Sequence, residues 1–477
     1  MKKINLWWLW LVAFLPRLLI AIAFFDAGIS LDDMYQYDML ARSLAEGRGF
    51  RWYSAADFEP LRPYYTRFLD VEQLDFPEEG IQTAHRGPGY PTFLSLIYRV
   101  TPETTRIGWV RVAQAGLMAG LAPLSALIAL SYGLSRNAAR LSGWAAAWYP
   151  LLLFYPVGLA SENLFLPLLA VSVLCLLSIP PSGRISRSLL TGVLLGLTAL
   201  TRSVISLFLP LSAWWVGRRA SGRWTVGLLV LVTAVGIALP WAVRNSMLMG
   251  KGSFLESSLG YNLFISYHPE GDGGFDHRIA ALPLQFVEDR QREDYALSRA
   301  VDYIRDDPGE ALERVVRKTA YFLGVEDKEL VYFYTNNQIG NIPQPWLSVL
   351  YVLFVLPWLL ILLLAPLGML LHKQRADVSL SLLLIAGYTL PHLLIIAEPR
   401  FHLALVPVLL PFAASAWESR KSITEKITNA GWKRPYLKLG LTWAALAGFS
   451  LWYLAMRWPT LVQVMTSPHS NQLYLAY

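Results

Sequence analysis

The sequence has little charge and almost no cysteine. Asp, Glu, Lys and Arg make up 16% of its 477 residues, whereas soluble chains carry roughly 25%. The one cysteine, Cys175, lies in an apolar run, so an intramolecular disulfide is impossible. No Asn-x-Ser/Thr sequon occurs, so exported loops would not be N-glycosylated. These absences exclude a soluble enzyme, a disordered chain and a disulfide scaffold, and they favour a bacterial inner membrane over a eukaryotic secretory membrane.

Apolar residues are abundant instead. They make up 55% of the chain, the mean hydropathy is +0.39, and 18 Trp, 23 Tyr and 21 Phe suit the aromatic belts of a membrane interface. Because a spanning helix needs ~20 apolar residues, the pattern predicts an all-α polytopic membrane protein with about eleven transmembrane helices. The predicted spans are 5–25, 107–132, 141–156, 159–180, 188–201, 203–217, 224–243, 346–371, 378–397, 401–417 and 439–457.

The positive charge is distributed in a way that orients these spans. The net charge is +7, and the basic residues of the short loops all fall on the side of the N-terminus. They are Lys2, Lys3, Arg136, Arg140, Arg184, Arg187, Arg218, Arg219, Arg223, Lys373, Arg375, Arg420, Lys421, Lys426, Lys433 and Arg434. By the positive-inside rule the N-terminus is cytoplasmic and the C-terminus external. Membrane orientation explains the basic residues, so we expect no nucleic-acid partner.

Two long segments are then predicted to lie outside the membrane, and both carry more acidic than basic residues. Structureless loops of such length are uncommon in compact folds, so both are expected to fold over the mouth of the bundle. The second contains turn-rich and helical stretches and is predicted to act as a lid. The predicted organisation is a first helix at 1–25, an external loop at 26–106, a bundle at 107–243, a lid-like segment at 244–345, C-terminal helices at 346–457 and an external tail at 458–477.

An acidic motif opens the first external loop. Asp32 and Asp33 begin a stretch with apolar residues at helical spacing, which predicts an amphipathic helix on the membrane surface. The pattern Ser30-x-x-Asp33 also fits a capping box, which would be a purely structural role. If both carboxylates serve chemistry instead, their mutual repulsion would raise one pKa and suit a general base.

The stretch His85-Arg86-Gly87-Pro88-Gly89-Tyr90-Pro91 predicts a rigid turn that returns to the interface as a second helix. Arg86 lies at the start of this turn. An arginine at this depth often anchors a chain to the headgroups. The alternative is a phosphate clamp, because a guanidinium binds phosphate through a bidentate fork.

Several motifs together resemble membrane glycosyltransferases of superfamily C, with the protein O-mannosyltransferase and aminoarabinose transferase branch the most similar. The acidic stretch looks like the motif that opens the first external loop of that family, and the Arg86 turn resembles its Arg-Pro-Pro-Gly-Tyr-Pro turn, with Gly87 in place of one proline. The further stretches that carry the resemblance are Ser161-Glu162-Asn163-Leu164-Phe165, Leu200-Thr201-Arg202, Pro240-Trp241-x-x-Arg244-Asn245, Gly260-Tyr261-Asn262-Leu263 and Glu398-Pro399-Arg400-Phe401 with Pro407.

The resemblance implies an enzyme that takes a sugar from a polyprenyl-phosphate carrier and passes it to an external acceptor. It also implies that Asp33, with Asp32 beside it, acts as the catalytic base. The acceptor is left open between a protein, lipid A and another glycan, and the sugar is left open between a hexose and a pentose. Membrane lipids are the other expected partners.

The reaction itself predicts further site residues. A leaving phosphate gains negative charge in the transition state, so fixed cations should surround it. Arg86, Arg244, Arg400 and Arg202 fall at predicted external boundaries and are the candidate phosphate-binding residues, with span-end anchoring as the alternative role. Glu162, Tyr37, His85 and Tyr261 are the candidate substrate-binding residues.

No cofactor is required by this interpretation, although Asp32, Asp33 and Asp38 could hold a divalent cation. Two other functions stay open. A lipid-linked polysaccharide ligase or polymerase would use a similar donor but tolerate loss of Asp32 and Asp33. A non-enzymatic lipid or sugar transporter predicts an internal repeat and ionisable groups at mid-membrane, and the sequence shows neither clearly.

Overall fold

The computed structural model describes residues 4–30, 33–335, 342–420 and 434–466. Within these ranges the protein is almost entirely helical. A single two-stranded antiparallel sheet pairs Arg51 with Gln82 and Trp52 with Ile81. The part before residue 106 contains α1 (Leu6–Ala23), α2 (Asp33–Ala45), β1 (Arg51–Trp52), α3 (Ala55–Phe58), α4 (Arg62–Tyr65), β2 (Ile81–Gln82) and α5 (Gly89–Tyr98).

The remaining helices form a bundle that is interrupted by one further connecting segment. The helices before that segment are α6 (Arg106–Ala119), α7 (Leu121–Ser131), α8 (Arg136–Ala147), α9 (Pro150–Phe154), α10 (Glu162–Ser178), α11 (Ile185–Thr201), α12 (Phe208–Arg219) and α13 (Trp224–Met249). Those within it are α14 (Leu259–Tyr267), α15 (His277–Ala281), α16 (Asp289–Asp306), α17 (Pro308–Phe322) and α18 (Lys328–Thr335). Those after it are α19 (Gln344–Leu371), α20 (Arg375–Leu394), α21 (Val406–Glu418) and α22 (Arg434–Thr466).

Short 3-10 helices connect several of these elements. They are Glu59–Leu61, Val71–Gln73, Glu103–Thr105, Tyr155–Val157, Ser203–Leu207, Leu282–Gln285 and Pro399–Leu405. Residues 24–105 are called the first connecting segment below, and residues 250–343 the second connecting segment.

Seven helices in the described ranges are long and apolar enough to cross a membrane, so the protein is an all-α multi-pass membrane protein. They are Leu6–Ala23, Glu103–Ser131, Trp224–Met249, Gln344–Leu371, Arg375–Leu394, Pro399–Glu418 and Leu437–Val464.

The other four predicted spans are shorter or broken helices. α10 and α11 have 17 residues each, or about 26 Å at 1.5 Å per residue. The predicted span 141–156 is divided between α8 and α9, because Pro150 cannot continue the hydrogen bonds of a preceding helix. The predicted span 203–217 begins as a 3-10 turn before α12.

Glycines allow α11 to pack closely on α13. A Cβ atom at Gly192 would lie 2.7 Å from the carbonyl oxygen of Val230, and one at Gly196 would lie 2.8 Å from that of Ala234. This is the small-xxx-small pattern that brings helix backbones together in a membrane, where the hydrophobic effect does not drive association. The end of α11, which is followed directly by Arg202, is therefore fixed by the packing of α11 on α13.

Two arginines inside the bundle bind backbone carbonyl groups. Arg17 is fully buried and donates to the carbonyls of Ala13 and Ala147 at 2.7 and 2.8 Å. Arg111, on α6, donates to the carbonyls of Ala27 and Gly28 at 2.7 and 2.9 Å. A cation is favourable at the carbonyl end of a helix, and Arg111 thereby fixes the chain between α1 and Asp33.

We expect Arg111→Leu to lower the thermal unfolding midpoint of the detergent-solubilised protein by several degrees. The substitution removes five hydrogen bonds to backbone carbonyls, among them the 2.8 Å bond to the buried carbonyl of Val157. A buried carbonyl left without a partner costs ~1–3 kcal/mol. Arg48→Leu is the control, because Arg48 forms an accessible pair with Glu46 and such pairs contribute little. Equal midpoints for both variants would show that the Arg111 carbonyls are satisfied in another way.

Candidate active site

A large cavity of about 1340 Å³ opens where the connecting segments meet the helical bundle. Its lining brings together most of the residues that the sequence predicts as functional. Those that line it are Asp33, Tyr37, His85, Arg86, Glu162, Arg202, Tyr261 and Arg400. Residues from the first connecting segment, the middle of the bundle and the last motif therefore share one site.

Asp33 lies between two arginines. Arg86 Nη2 donates to Asp33 Oδ1, and Arg400 Nη2 donates to Asp33 Oδ2 at 3.4 Å. Burial in the site raises the pKa of Asp33, but the two guanidinium groups outweigh burial and lower it to about 2. The expectation of a raised pKa is therefore wrong for Asp33. Asp32 lies outside the described residues.

The Arg86 side chain is held from three directions. Its Nε and Nη2 atoms donate to Gln36 Oε1 at 3.1 and 2.6 Å, and its guanidinium lies 5.3 Å from the ring centroid of Tyr37. Gln36 and Tyr37 lie on α2, which begins at Asp33. Helix α2 therefore carries Asp33 and also orients the Arg86 guanidinium that pairs with it.

The turn that carries Arg86 packs directly on the end of α11, and this explains its glycines. A Cβ atom at Gly87 would lie 2.6 Å from the carbonyl oxygen of Leu200, and one at Gly89 would lie 2.5 Å from Thr201 Oγ1. A larger residue at either position would move the turn away from α11. The Gly87-Pro88-Gly89 motif therefore sets the distance between Arg86 and Arg202.

Glu162 and Arg202 form a second ion pair in the cavity. Their Oε1 and Nη1 atoms are 2.5 Å apart. Glu162 is the first residue of α10, where the helix dipole favours an acid. Arg202 follows the last residue of α11, and its guanidinium lies 5.2 Å from the ring centroid of Phe401. This pair holds the ends of two helices together at the cavity wall.

His85 and Tyr261 form part of the wall through ring contacts. Their ring centroids are 5.2 Å apart in an edge-on arrangement, and Tyr261 Oη donates to the carbonyl of Ala280 at 2.9 Å. Burial lowers the pKa of His85 well below its usual range, with the charge of Arg86 acting in the same direction. A neutral His85 is suited to a hydrogen bond or a ring contact and not to binding an anion.

The second connecting segment contributes residues to the cavity lining and is hydrogen-bonded to the first connecting segment. Asp289, on α16, accepts hydrogen bonds from Thr83 Oγ1 and the Ala84 amide, both at 2.7 Å. Glu293, one turn later, accepts from the amides of Gly260 and Tyr261 at 2.6 and 3.2 Å. One helix thus positions both walls of the cavity.

Arg244 does not belong to this group, because it is absent from the cavity lining. It donates to the carbonyl of Thr83 and to Asn245 Oδ1, and its guanidinium lies 4.8 Å from the Trp241 ring centroid. Its motif therefore braces the first connecting segment. Asp38 is also absent from the cavity lining, and it pairs with Arg42 and with Tyr98 Oη, both at 2.7 Å.

Asp38 therefore does not join Asp33 to form a cation site. In the part of the chain that the structure describes, no group of three His, Cys, Asp or Glu side chains could hold a metal ion.

Lys328 and Glu329 are among the charged residues of the cavity that the sequence analysis missed. Lys328 Nζ lies 2.6 Å from Glu398 Oε2, and Glu398 also accepts from the amide of Phe275 at 3.3 Å. Lys328 and Glu329 belong to a short charged run that looks like a solvent-exposed turn in the sequence. Only the fold brings that run to Arg400.

No known family model matches the sequence, and no curated protein is similar to it in sequence. Among solved structures, the chain is similar to the archaeal oligosaccharyltransferase AglB from Archaeoglobus fulgidus, in complex with an inhibitory peptide and a dolichol-phosphate. The TM-score is 0.46 and the identity 15%, over 97% of this chain and 56% of that one. This chain therefore spans little more than half the length of that enzyme. It is also similar to ArnT from Cupriavidus metallidurans bound to undecaprenyl phosphate, with a TM-score of 0.37 and 12% identity over 89% and 81% of the two chains.

Proposed function

We propose that the protein is a glycosyltransferase that moves a sugar from a polyprenyl-phosphate carrier to an acceptor hydroxyl outside the cytoplasm. The observation that carries this proposal is the placement of Asp33 between Arg86 and Arg400 in one large cavity. A carboxylate for the acceptor proton and fixed cations for a leaving phosphate are the groups that this reaction needs.

The proposed reaction is a single displacement. The acceptor oxygen attacks the anomeric carbon and gives its proton to the Asp33 carboxylate. The bond between the anomeric carbon and the phosphate oxygen breaks, and its electron pair leaves with the carrier phosphate. Arg86, Arg400 and Arg202 stabilise the charge that develops there.

The low pKa of Asp33 belongs to the protein without donor. Arg86 and Arg400 both pair with Asp33 in that state, and a carrier phosphate would compete for the same guanidinium groups. Once the phosphate takes over these contacts, less positive charge acts on Asp33 and its pKa rises. Donor binding would therefore strengthen the base at the moment when the acceptor proton must be removed.

The proposed topology places the cavity on the external side of a bacterial inner membrane. The N-terminus is then cytoplasmic, the C-terminus external, and the four shorter elements complete eleven crossings. The basic short loops support this orientation. In the same proposal the second connecting segment covers the bound donor as a lid.

The test measures release of undecaprenyl phosphate by purified protein from a panel of donors. The panel carries glucose, galactose, mannose, N-acetylglucosamine or arabinose on undecaprenyl phosphate, and a membrane extract supplies acceptors. We expect one donor to be consumed, with its sugar recovered on an acceptor. Passage of an intact donor across a vesicle membrane, without its consumption, would contradict the proposal and favour a transporter.

A further inference from the structure

Four consecutive charged residues, Glu326 to Glu329, lie where the chain enters α18, and Lys328 and Glu329 are the first two residues of that helix. The first three are each bound to a different part of the bundle: Glu326 lies 2.6 Å from Tyr149 Oη and 2.8 Å from His402 Nε2, Asp327 lies 2.5 Å from Tyr453 Oη and 3.0 Å from Arg457 Nε, and Lys328 lies 2.6 Å from Glu398. These contacts are buried or half-buried, so the run is fixed in place.

Glu329 combines two properties that its three neighbours do not share. It lines the cavity, as Lys328 does, and its Oε2 atom is buried without a hydrogen-bond partner among the described residues, as is Oε2 of Glu326, which does not line the cavity. A buried carboxyl oxygen without a partner is costly, so its position beside a cavity calls for an explanation, and a bound polar ligand is one. The contacts of Glu326, Asp327 and Lys328 thus fix the position of Glu329 at the cavity, where it can bind a ligand.

Arg400 offers a complementary atom to the same cavity. Its Nη2 atom faces Asp33, whereas its Nε atom is buried and has no acceptor among the described residues. No nitrogen of Arg400 comes within 4 Å of a Glu329 oxygen in that part of the chain. The two side chains therefore do not satisfy each other.

The chemistry of these two atoms selects their ligand. A hydroxyl group can accept a hydrogen bond from an N–H and donate one to a carboxylate at the same time. An ammonium group cannot accept from Arg400, and an ionised phosphate cannot donate to Glu329. We propose that Glu329 and Arg400 Nε bind one hydroxyl group of the transferred sugar, and that this contact determines which donor is used. The inference rests on the proposed function.

The hydroxyl belongs to the sugar and not to the acceptor for a geometric reason. The acceptor oxygen must approach Asp33, which accepts a hydrogen bond from Arg400 Nη2. Glu329 Oε2 and Arg400 Nε have no partner among the described residues, so they are left to bind a different hydroxyl group, that of the sugar. Burial raises the pKa of Glu329 to about 7, although the charge of Arg400 lowers it; Glu326 and Glu398 raise it further. The group can thus act as a donor or an acceptor near neutral pH.

The experiment uses the donor that the wild type consumes in the undecaprenyl-phosphate panel, together with its monodeoxy analogues. We expect one deoxy analogue to lower the wild-type kcat/KM by ~10⁴-fold, because a site built to bind a hydroxyl leaves polar groups unpaired without it. Glu329→Ala should lower kcat/KM for the parent donor by ~10²-fold. Its kcat/KM values for the parent donor and for that deoxy analogue should differ by less than ~10-fold.

Glu329→Gln and Glu313→Gln make the result interpretable. Gln keeps a hydrogen-bonding group of the same shape, so it should retain activity within ~10-fold and abolish any change of kcat/KM centred near pH 7. Glu313 forms an accessible pair with Arg317 on α17, so its variant should match the wild type. A matching thermal midpoint for the Ala and Gln variants excludes misfolding as the cause.

Two outcomes would overturn the inference in distinguishable ways. If the wild type consumes a donor but Glu329→Ala discriminates against the deoxy analogues as strongly as the wild type, Glu329 does not read the sugar and the proposed function stands. If the wild type releases undecaprenyl phosphate from no donor in the panel, the proposed function fails and the inference fails with it.

Discussion

Replacing Asp33 by Asn is expected to lower donor turnover by about 10³-fold, within the range of a lost general base. Asn keeps the shape of the side chain but cannot take the acceptor proton, and it removes the charge that holds Arg86 and Arg400 together. The measurement is release of undecaprenyl phosphate at saturating donor, where KM effects do not contribute.

Asp38→Asn is the matched control for this variant. Asp38 lies on the same helix as Asp33, but it pairs with Arg42 and Tyr98 and is absent from the cavity lining. Its loss should lower the thermal midpoint and leave turnover within about threefold of the wild type. Equal turnover losses for the two variants would show that Asp33 acts through the stability of α2 alone.

The pH profile of the wild type adds an independent check on Asp33. Its pKa of about 2 in the free protein means that the carboxylate stays ionised at pH 4 and above. Since kcat/KM reports the free enzyme, we expect no acid loss of kcat/KM from Asp33 above pH 4. The same low pKa also affects stability. The ionised Asp33 stabilises the folded protein at any pH above the pKa that Asp has in the unfolded chain, and this stabilisation is lost as the pH falls toward 2.

Replacing Arg400 or Arg86 by Gln is expected to reduce kcat/KM by 10²–10³-fold, the usual effect of removing one electrostatic donor from a transition state. Both residues line the cavity and contact Asp33. The Gln side chain can still donate one hydrogen bond but carries no charge, so the developing phosphate charge loses a fixed cation.

Arg244→Gln is the control for these two variants, because the sequence analysis predicts Arg244 as a phosphate-binding residue together with Arg86 and Arg400. Its guanidinium contacts Phe50, Trp241 and backbone carbonyl groups outside the cavity, so kcat/KM should change less than about tenfold. A loss for Arg244→Gln as large as for Arg400→Gln, at an unchanged thermal midpoint, would contradict the assignment of the phosphate to the cavity arginines.

The sequence could predict much of the site because several functional residues lie next to strong local signals. Asp33 begins a helix, Arg86 opens a Gly-Pro turn, and Arg400 follows a proline. Such signals predict where a helix begins or the backbone turns. Turns that are predicted on the same side of a membrane are expected to bring their side chains close together. All three side chains meet as the pattern predicts.

What the sequence could not show depends on packing. Arg244 and Arg202 both follow apolar runs, and only the contacts with Trp241 and with Glu162 separate a bracing residue from a cavity residue. Glu329 could not be singled out, because its neighbours acquire their partners from helices far away in the chain. Pro150 is a local signal for a helix break inside the predicted span 141–156. The apolar composition of that stretch nevertheless led to the prediction of one continuous span.

The pairing of Arg400 with Asp33 joins residues 367 positions apart. At 5–20 residues per second, roughly 20–70 s separate their emergence from the ribosome. During that interval α2 and the turn after it are already made, yet the carboxylate lacks one of its two cations. A nascent or truncated chain therefore cannot assemble the full site. Under the proposed function, such a chain could not act on carrier-linked sugar before membrane insertion has almost finished.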